Sequence, residues 1–164
     1  MSEGDPVEAF KQAMRCVAST VNVISICAGG EPMGITATAM SSLALDPPSL
    51  LVCINRAAAV YQPMENVSHF GVNVLHRDQE HIAQMFADRR QHDLRFASGW
   101  EIDGANPPRL ADAQAWLLCR RIDHHQFGTH SIFIGVVEDV VVRGDIHPLV
   151  YLNGSYGSAA PDAA

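Results

Sequence analysis

The residue types best suited to binding a small molecule are gathered between Gly34 and Arg56. The run Gly34-Ile35-Thr36-Ala37-Thr38-Ala39-Met40-Ser41-Ser42 is dense in small residues and hydroxyls. Small side chains allow a ligand to approach the main chain, and hydroxyls with free backbone N–H groups supply donors for a phosphate, a carboxylate or a polar ring edge. Asp46-Pro47-Pro48 follows as an extended turn, since proline fixes φ and disfavours the helical region for the residue before it. Leu50 to Ile54 is then an apolar run of strand length, ending in the amide and cation of Asn55-Arg56. Hydroxyls and a cation on one rim of a sheet make a place to hold an anionic small molecule.

Other reactive groups are dispersed. Cys16, Cys27, Cys53 and Cys119 form no C-x-x-C pair and each lies among apolar neighbours, as expected of buried reduced thiols. His124, His125 and His130 form a local group whose spacing matches no zinc pattern, so no metal site is expected.

The elements that must position these residues read as follows. Asp5-Pro6-Val7-Glu8 is a helix start, and Phe10, Ala13, Met14 and Val17 recur at helical spacing, giving a helix from Pro6 to Ala18 that plugs an end or face of a sheet. Strands are expected over Thr20–Cys27, Met33–Thr38, Leu50–Ile54, Ser68–Leu75, Ala115–Ile122, Ser131–Val142 with a bend at Gly135, and Pro148–Leu152. A short helix broken at Pro63 spans Ala57–Val67, and a further helix is capped by Asp78 with Ile82, Ala83, Met85 and Phe86 on its apolar face. Asp88 to Asp93 reads as an exposed loop or helix end, Asp123 to Thr129 as a polar loop, and the tail from Ser158 as frayed. Seven short strands without regular strand–helix alternation argue against a doubly wound sheet and for an antiparallel barrel or sandwich. No phosphate-loop or dinucleotide-loop glycine motif follows a strand.

Composition narrows the function classes. The 164 residues suit one domain over 1–164, and 48% apolar with 18% charged residues supports a packed core. Net charge is −7, and ten of the eleven cations are scattered arginines, so no basic stripe for nucleic acid is present. No apolar run reaches the roughly 20 residues of a membrane span, and the acidic first residues lack a signal-peptide pattern. No nucleic acid, no membrane and a cytoplasmic location are the expectations.

Five segments in order carry a resemblance to a known family. They are Gly34 to Ser42 with Asp46-Pro47-Pro48-Ser49-Leu50 and Asn55-Arg56; Phe70-Gly71-Val72-Asn73-Val74-Leu75; His81 to Ala87; Gly128-Thr129-His130-Ser131-Ile132-Phe133-Ile134-Gly135; and Pro148-Leu149-Val150-Tyr151. Over residues 8 to 157 the chain resembles the flavin reductase-like family, which includes reductase components of two-component flavin monooxygenases such as 4-hydroxyphenylacetate 3-monooxygenase. The resemblance implies a mainly β fold with short helices, the FMN-binding split β-barrel of antiparallel Greek-key type. It also implies a homodimer with FMN or FAD near the subunit interface, reduction by NADH or NADPH, and a separate monooxygenase that receives the reduced flavin.

The same resemblance assigns roles by position. Main-chain groups of Ile35, Thr36, Ala37 and Thr38 would lie along the isoalloxazine edge, and Ser41 and Ser42 would reach the ribityl chain or phosphate. Asn55 and Arg56 would face the phosphate, with Phe70 and Phe86 as pocket walls. His130 would position the nicotinamide, and Tyr151 and Tyr156 would close the site. Thr129 stands where the family often has an acid, and Asn153-Gly154-Ser155-Tyr156 is less basic than many family tails. Hydride transfer needs positioning rather than a protein nucleophile, so no catalytic triad is expected. Two other readings remain: a flavin-dependent reductase of a corrinoid, metal chelate or quinone, and a flavin-binding carrier or sensor without turnover.

Overall fold

A computed structural model describes residues 5–159. The first helix, α1 (Pro6–Arg15), begins where Asp5 accepts a hydrogen bond from the Val7 N–H at 3.0 Å, with proline at the first helical position. Its apolar face does not plug the sheet as expected, for Phe10, Met14 and Val17 remain exposed. Two residues of β1 (Ser19–Thr20) lead into β2 (Asn22–Ala28) and β3 (Glu31–Ala37), which pair as a hairpin. Gly29 and Gly30 form its two-residue turn, with φ of 62° and 86°. Both values lie in the left-handed region that the tightest hairpin turn demands, which glycine adopts without steric cost.

Next come β4 (Met40–Leu45) and β5 (Pro48–Asn55), joined at Asp46-Pro47, whose peptide bond is cis. β4 was not expected as a strand, because Met40-Ser41-Ser42 carries too few β-branched residues to signal one. The chain continues through α2 (Tyr61–Asn66), β6 (His69–Val74) and α3 (Glu80–Ala87). Pro63 does not break α2, since it sits in the first turn, where its missing N–H has no intrahelical role. The turn ahead of α3 is capped by His76 rather than Asp78: His76 Nδ1 accepts from the Asp78 N–H, while the Gln79 side chain takes the His76 N–H. Short strands β7 (Trp100–Glu101) and β8 (Arg109–Leu110) precede the long hairpin of β9 (Ala115–Phe127) and β10 (His130–Val142). Residues 123–127 thus extend β9 instead of forming a loop; cross-strand pairing with His130–Ile134 overrides their polar composition. β11 (Leu149–Leu152) and β12 (Ser155–Ser158) close the described chain, so Ser158 lies in a strand; the expected fraying of residues 160–164 falls outside the described residues.

Seven strands make one antiparallel sheet in the order β3-β2-β6-β9-β10-β5-β4. β3 and β4 are consecutive in the chain yet occupy opposite edges. Only Thr38 and Ala39 join them, so the sheet must curl until its edges meet. The result is the split barrel expected from the resemblance, with no β3–β4 pairing to close it. Alternation along β2 and β6 sends Ile24, Ile26, Phe70 and Val72 to the inner core with Val52, Ile54 and Phe133. Val21 and Val23 face the other way, onto a second core with Leu75, Ile82, Ala83, Phe86 and Leu149. Buried Asn73 ties β8 to this face. Its amide donates to Val23 O and Ser25 Oγ, both at 3.1 Å, and its Oδ1 accepts from the Leu110 N–H at 2.8 Å.

The expected bend at Gly135 is a register shift between Ile134 and Gly135. A Cβ there would lie 2.6 Å from Phe70 Cζ and 2.8 Å from Cys119 Cβ. Gly135→Ala is therefore expected to destabilise the protein by about 2 kcal/mol in urea unfolding, with Phe70→Leu in the same chain recovering part of the loss. The cysteines are all free, but only Cys119 is buried, and burial pushes its thiol up to about 12. In the native protein at pH 8, a thiol reagent should modify exposed Cys16 and leave Cys119 intact until urea unfolds the chain; mass mapping of the labelled peptides checks this.

Candidate active site

At the tip of the β9–β10 hairpin, three residues form a row across three strands. His130 pairs with Phe127 on β9 and with Asn55 on β5. Directly opposed residues share a face with Cβ atoms about 4.5–5.5 Å apart, so the three side chains stand side by side. Thr129 Oγ1 is hydrogen-bonded to His130 Nδ1 at 2.9 Å, which fixes one ring nitrogen and leaves Nε2 for another partner. The Arg56 N–H donates to Thr129 O at 2.9 Å and its guanidinium to Gly128 O at 3.4 Å, tying the end of β5 to the hairpin turn. Asn55 Oδ1 accepts from the Ala57 N–H at 2.9 Å, turning the chain away from the row.

That turn leads into the wall of a cleft of about 550 Å³. Gly34 and Ile35 of β3, the loop from Ala57 to Val60, and Phe86, Arg89, Arg95 and Phe96 line it, with Glu31 and Asp93 also present. Such a volume suits a small molecule. Arg89 donates to Ala57 O at 3.1 Å. Arg95 donates to the carbonyls of Met85, Phe86 and Asp88 at the end of α3 and to Gly34 O at 3.0 Å, and its guanidinium lies 5.3 Å from the centre of the Phe86 ring. It satisfies helix C-terminal acceptors and fixes α3 against β3 in one stroke. Among the described residues, none of Arg56, Arg89 and Arg95 is ion-paired, although the chain is acidic overall. Arg89 and Arg95 line the cleft beside the acids Glu31 and Asp93, with Arg56 at the adjoining turn, so an anion there meets guanidinium groups that no ion pair occupies.

A second cavity of about 560 Å³ lies between α1 and the β11–β12 turn, where Thr38 and Tyr151 meet Lys11 and Arg15. Tyr151 stacks edge-on with Tyr156 at 5.2 Å, and burial raises the Tyr156 hydroxyl above its ordinary value.

The expected site residues are therefore divided. Ile35 and Phe86 reach the first cleft, Asn55 and His130 the row beside it, Arg56 the turn next to that row, and Thr38 and Tyr151 the second cavity. Ser41 and Ser42 are exposed on the edge strand β4, with the Ser41 hydroxyl donating to Ser42 O. The Thr36 hydroxyl is committed to Ala83 O at 2.7 Å, and Ala37 O accepts from Asn22. Phe70 is not a pocket wall: it is fully buried in the inner core, because its strand parity turns it inward. Arg89, Arg95 and Phe96 are not among the expected site residues; the segment 88–93, expected as an exposed loop or helix end, forms a short 3₁₀ helix, Arg89–Leu94. The signal available was Arg89 and Arg95 set among Phe86, Phe96 and Trp100, with Asp88 and Asp93 beside them. The grouped histidines part company. His124 stacks on Phe133 at 5.3 Å and meets Glu65 at 3.3 Å, His125 pairs with Asp123, and no metal cluster forms among the described residues.

Known proteins resemble this chain over most of its length. The family model for a flavin reductase like domain matches residues 14–160. The reductase component of an FADH(2)-dependent resorcinol hydroxylase from Rhizobium sp. (strain MTP-10005) is 36% identical over 155 residues, covering 93% of this chain and 87% of that protein. An FMN reductase (NADH), RutF, from Methylorubrum populi is 37% identical, covering 92% and 76%. The Streptomyces globisporus C-1027 NADH:FAD oxidoreductase SgcE6, solved in complex with NAD and FAD fragments, superimposes with a TM-score of 0.88 at 28% identity over 98% of each chain. The chain is a member of the flavin reductase like family, and hence an oxidoreductase.

Proposed function

We propose that this protein transfers a hydride from NADH to FMN or FAD and hands the reduced flavin to a separate monooxygenase. The observation that carries the reading is the junction of the His130 row, tied to Arg56 at the hairpin turn, with a cleft lined by Arg89 and Arg95, none of the three in an ion pair. A flavin phosphate is an anion, and guanidinium groups bind phosphate bidentately. The relatives support the rest: one is named as the reductase component of a hydroxylase and another as an NADH-dependent FMN reductase. A cytoplasmic homodimer, with apolar α1 and edge strand β4 as candidate contact surfaces, belongs to the same proposal.

When bound, flavin supplies the two-electron acceptor that no side chain provides. The protein's task is placement. β3 is an edge strand, so part of its main chain between Ile35 and Thr38 is unpaired by any neighbour and free to meet a polar ring edge. Arg56 and Arg89 hold the phosphate end. His130, fixed through Nδ1 by Thr129, presents Nε2 to the nicotinamide carboxamide or ribose. Phe86 and Ile35 make the apolar wall that excludes water.

Purified protein should oxidise NADH, followed at 340 nm, at a rate that saturates with added FMN or FAD; a flavin-binding protein that leaves NADH untouched would instead be a carrier or sensor. His130→Ala should raise KM for NADH roughly tenfold while flavin affinity stays within about twofold. Arg89→Gln should do the reverse, weakening flavin binding roughly tenfold by fluorescence titration, with a shallower salt dependence.

A further inference from the structure

Phe127 is the most exposed aromatic side chain among the described residues, at 85%. It is not on a frayed end, for it is the last paired residue of β9, held in register against His130 next to a two-residue turn. A large ring kept in water at a fixed position gains nothing for the fold, since neither core includes it. Its neighbours indicate what covers it. Across the three strands the order is Asn55, His130, Phe127. Phe127 thus flanks His130 on the side opposite Asn55, next to the residue to which the proposed function gives the nicotinamide.

We propose that Phe127 is a binding residue for the nicotinamide dinucleotide, its ring face stacking on the nicotinamide that His130 orients. This rests on the NADH reading above. Both groups are planar, and stacking of an aromatic side chain on a base is worth roughly a tenfold change in affinity or more. The oxidised nicotinamide carries a positive ring charge, and a phenyl face attracts a cation. Phe127 therefore favours NAD⁺ over NADH, and it contributes to product inhibition as well as to substrate capture.

The test compares Phe127→Leu, which keeps apolar bulk but loses the π face, with Phe127→Trp, which enlarges it. Steady-state kinetics give KM for NADH and the inhibition constant for NAD⁺. Calorimetric titration of the flavin-free protein with NAD⁺ gives a binding constant independent of turnover. Phe127→Leu should raise KM for NADH roughly tenfold, with the loss in KM rather than kcat, and should weaken NAD⁺ by a larger factor. Phe127→Trp should retain or tighten both. Unchanged NADH and NAD⁺ constants in Phe127→Leu overturn the inference. So does a loss of flavin affinity instead, or a fall from dimer to monomer by light scattering, which would make the residue a flavin or subunit contact. If His130→Ala is also silent toward NADH, the nicotinamide site itself is misplaced. A silent Phe127→Leu beside a responsive His130→Ala removes this inference alone.

Discussion

The short link between β3 and β4 governs the rest of the molecule. Three Cα–Cα steps, about 11 Å, separate Ala37 from Met40, yet the strands they end and begin are the two edges of a seven-stranded sheet. A flat sheet would hold those edges several strand spacings apart. The connection is satisfied only if the sheet rolls, which strand twist favours. Cys53 donates its N–H to Ala39 O at 2.9 Å and Met40 to Thr38 O at 3.0 Å, so the link is itself pinned to β5. Rolling brings the Gly34–Ile35 segment of β3 to the loop that follows β5, and the cleft is the gap between them.

Because the barrel is held by a link rather than a continuous ladder, other groups must set the width of that gap. Arg95 is the principal one. Its guanidinium spans from Gly34 on β3 to the last carbonyls of α3, with the Phe86 ring beneath it. Desolvation there lowers its affinity for its proton, but an arginine stays charged throughout the working range, so the clamp does not titrate. Arg89 reaches across to Ala57 O and holds the opposite wall. The same arginines that fix the walls make no ion pair, so structural support and guanidinium groups for an anion come from one set of side chains.

The candidate site was readable in sequence only where its residues are neighbours in sequence. Asn55 and Arg56 end an apolar strand, and His130 follows a glycine turn; both signals are local, and Asn55 and His130 fell in one row with Arg56 bonded to the turn beside it. Arg89, Arg95 and Phe96 were missed because nothing within their own segment shows which wall they meet. Phe70 and Phe86 looked alike, each an aromatic in an apolar segment. The difference between them is the parity of a strand against the turn of a helix: one points into the inner core and the other toward the cleft. Residues 123–127 looked like a loop for a related reason, since polar strand residues are recognisable only beside the strand they pair with.

The sequence by itself determined the element classes, the glycine hairpin turn at Gly29-Gly30, the bend at Gly135 and the family, because each depends on residues a few positions apart or on ordered motifs. It also placed hydroxyls, amide and cation in one stretch. Tertiary structure alone decided which of them share a surface. The rolled sheet separates Thr38 and Tyr151 from Asn55, Arg56 and His130 and puts them beside a different cavity. It also sets Phe127 next to His130 and brings Arg89 and Arg95 to Ala57 and Gly34. The Phe127–His130 pair is set by the two-residue turn between β9 and β10, whereas the arginine contacts are long-range juxtapositions encoded in no local pattern of residues.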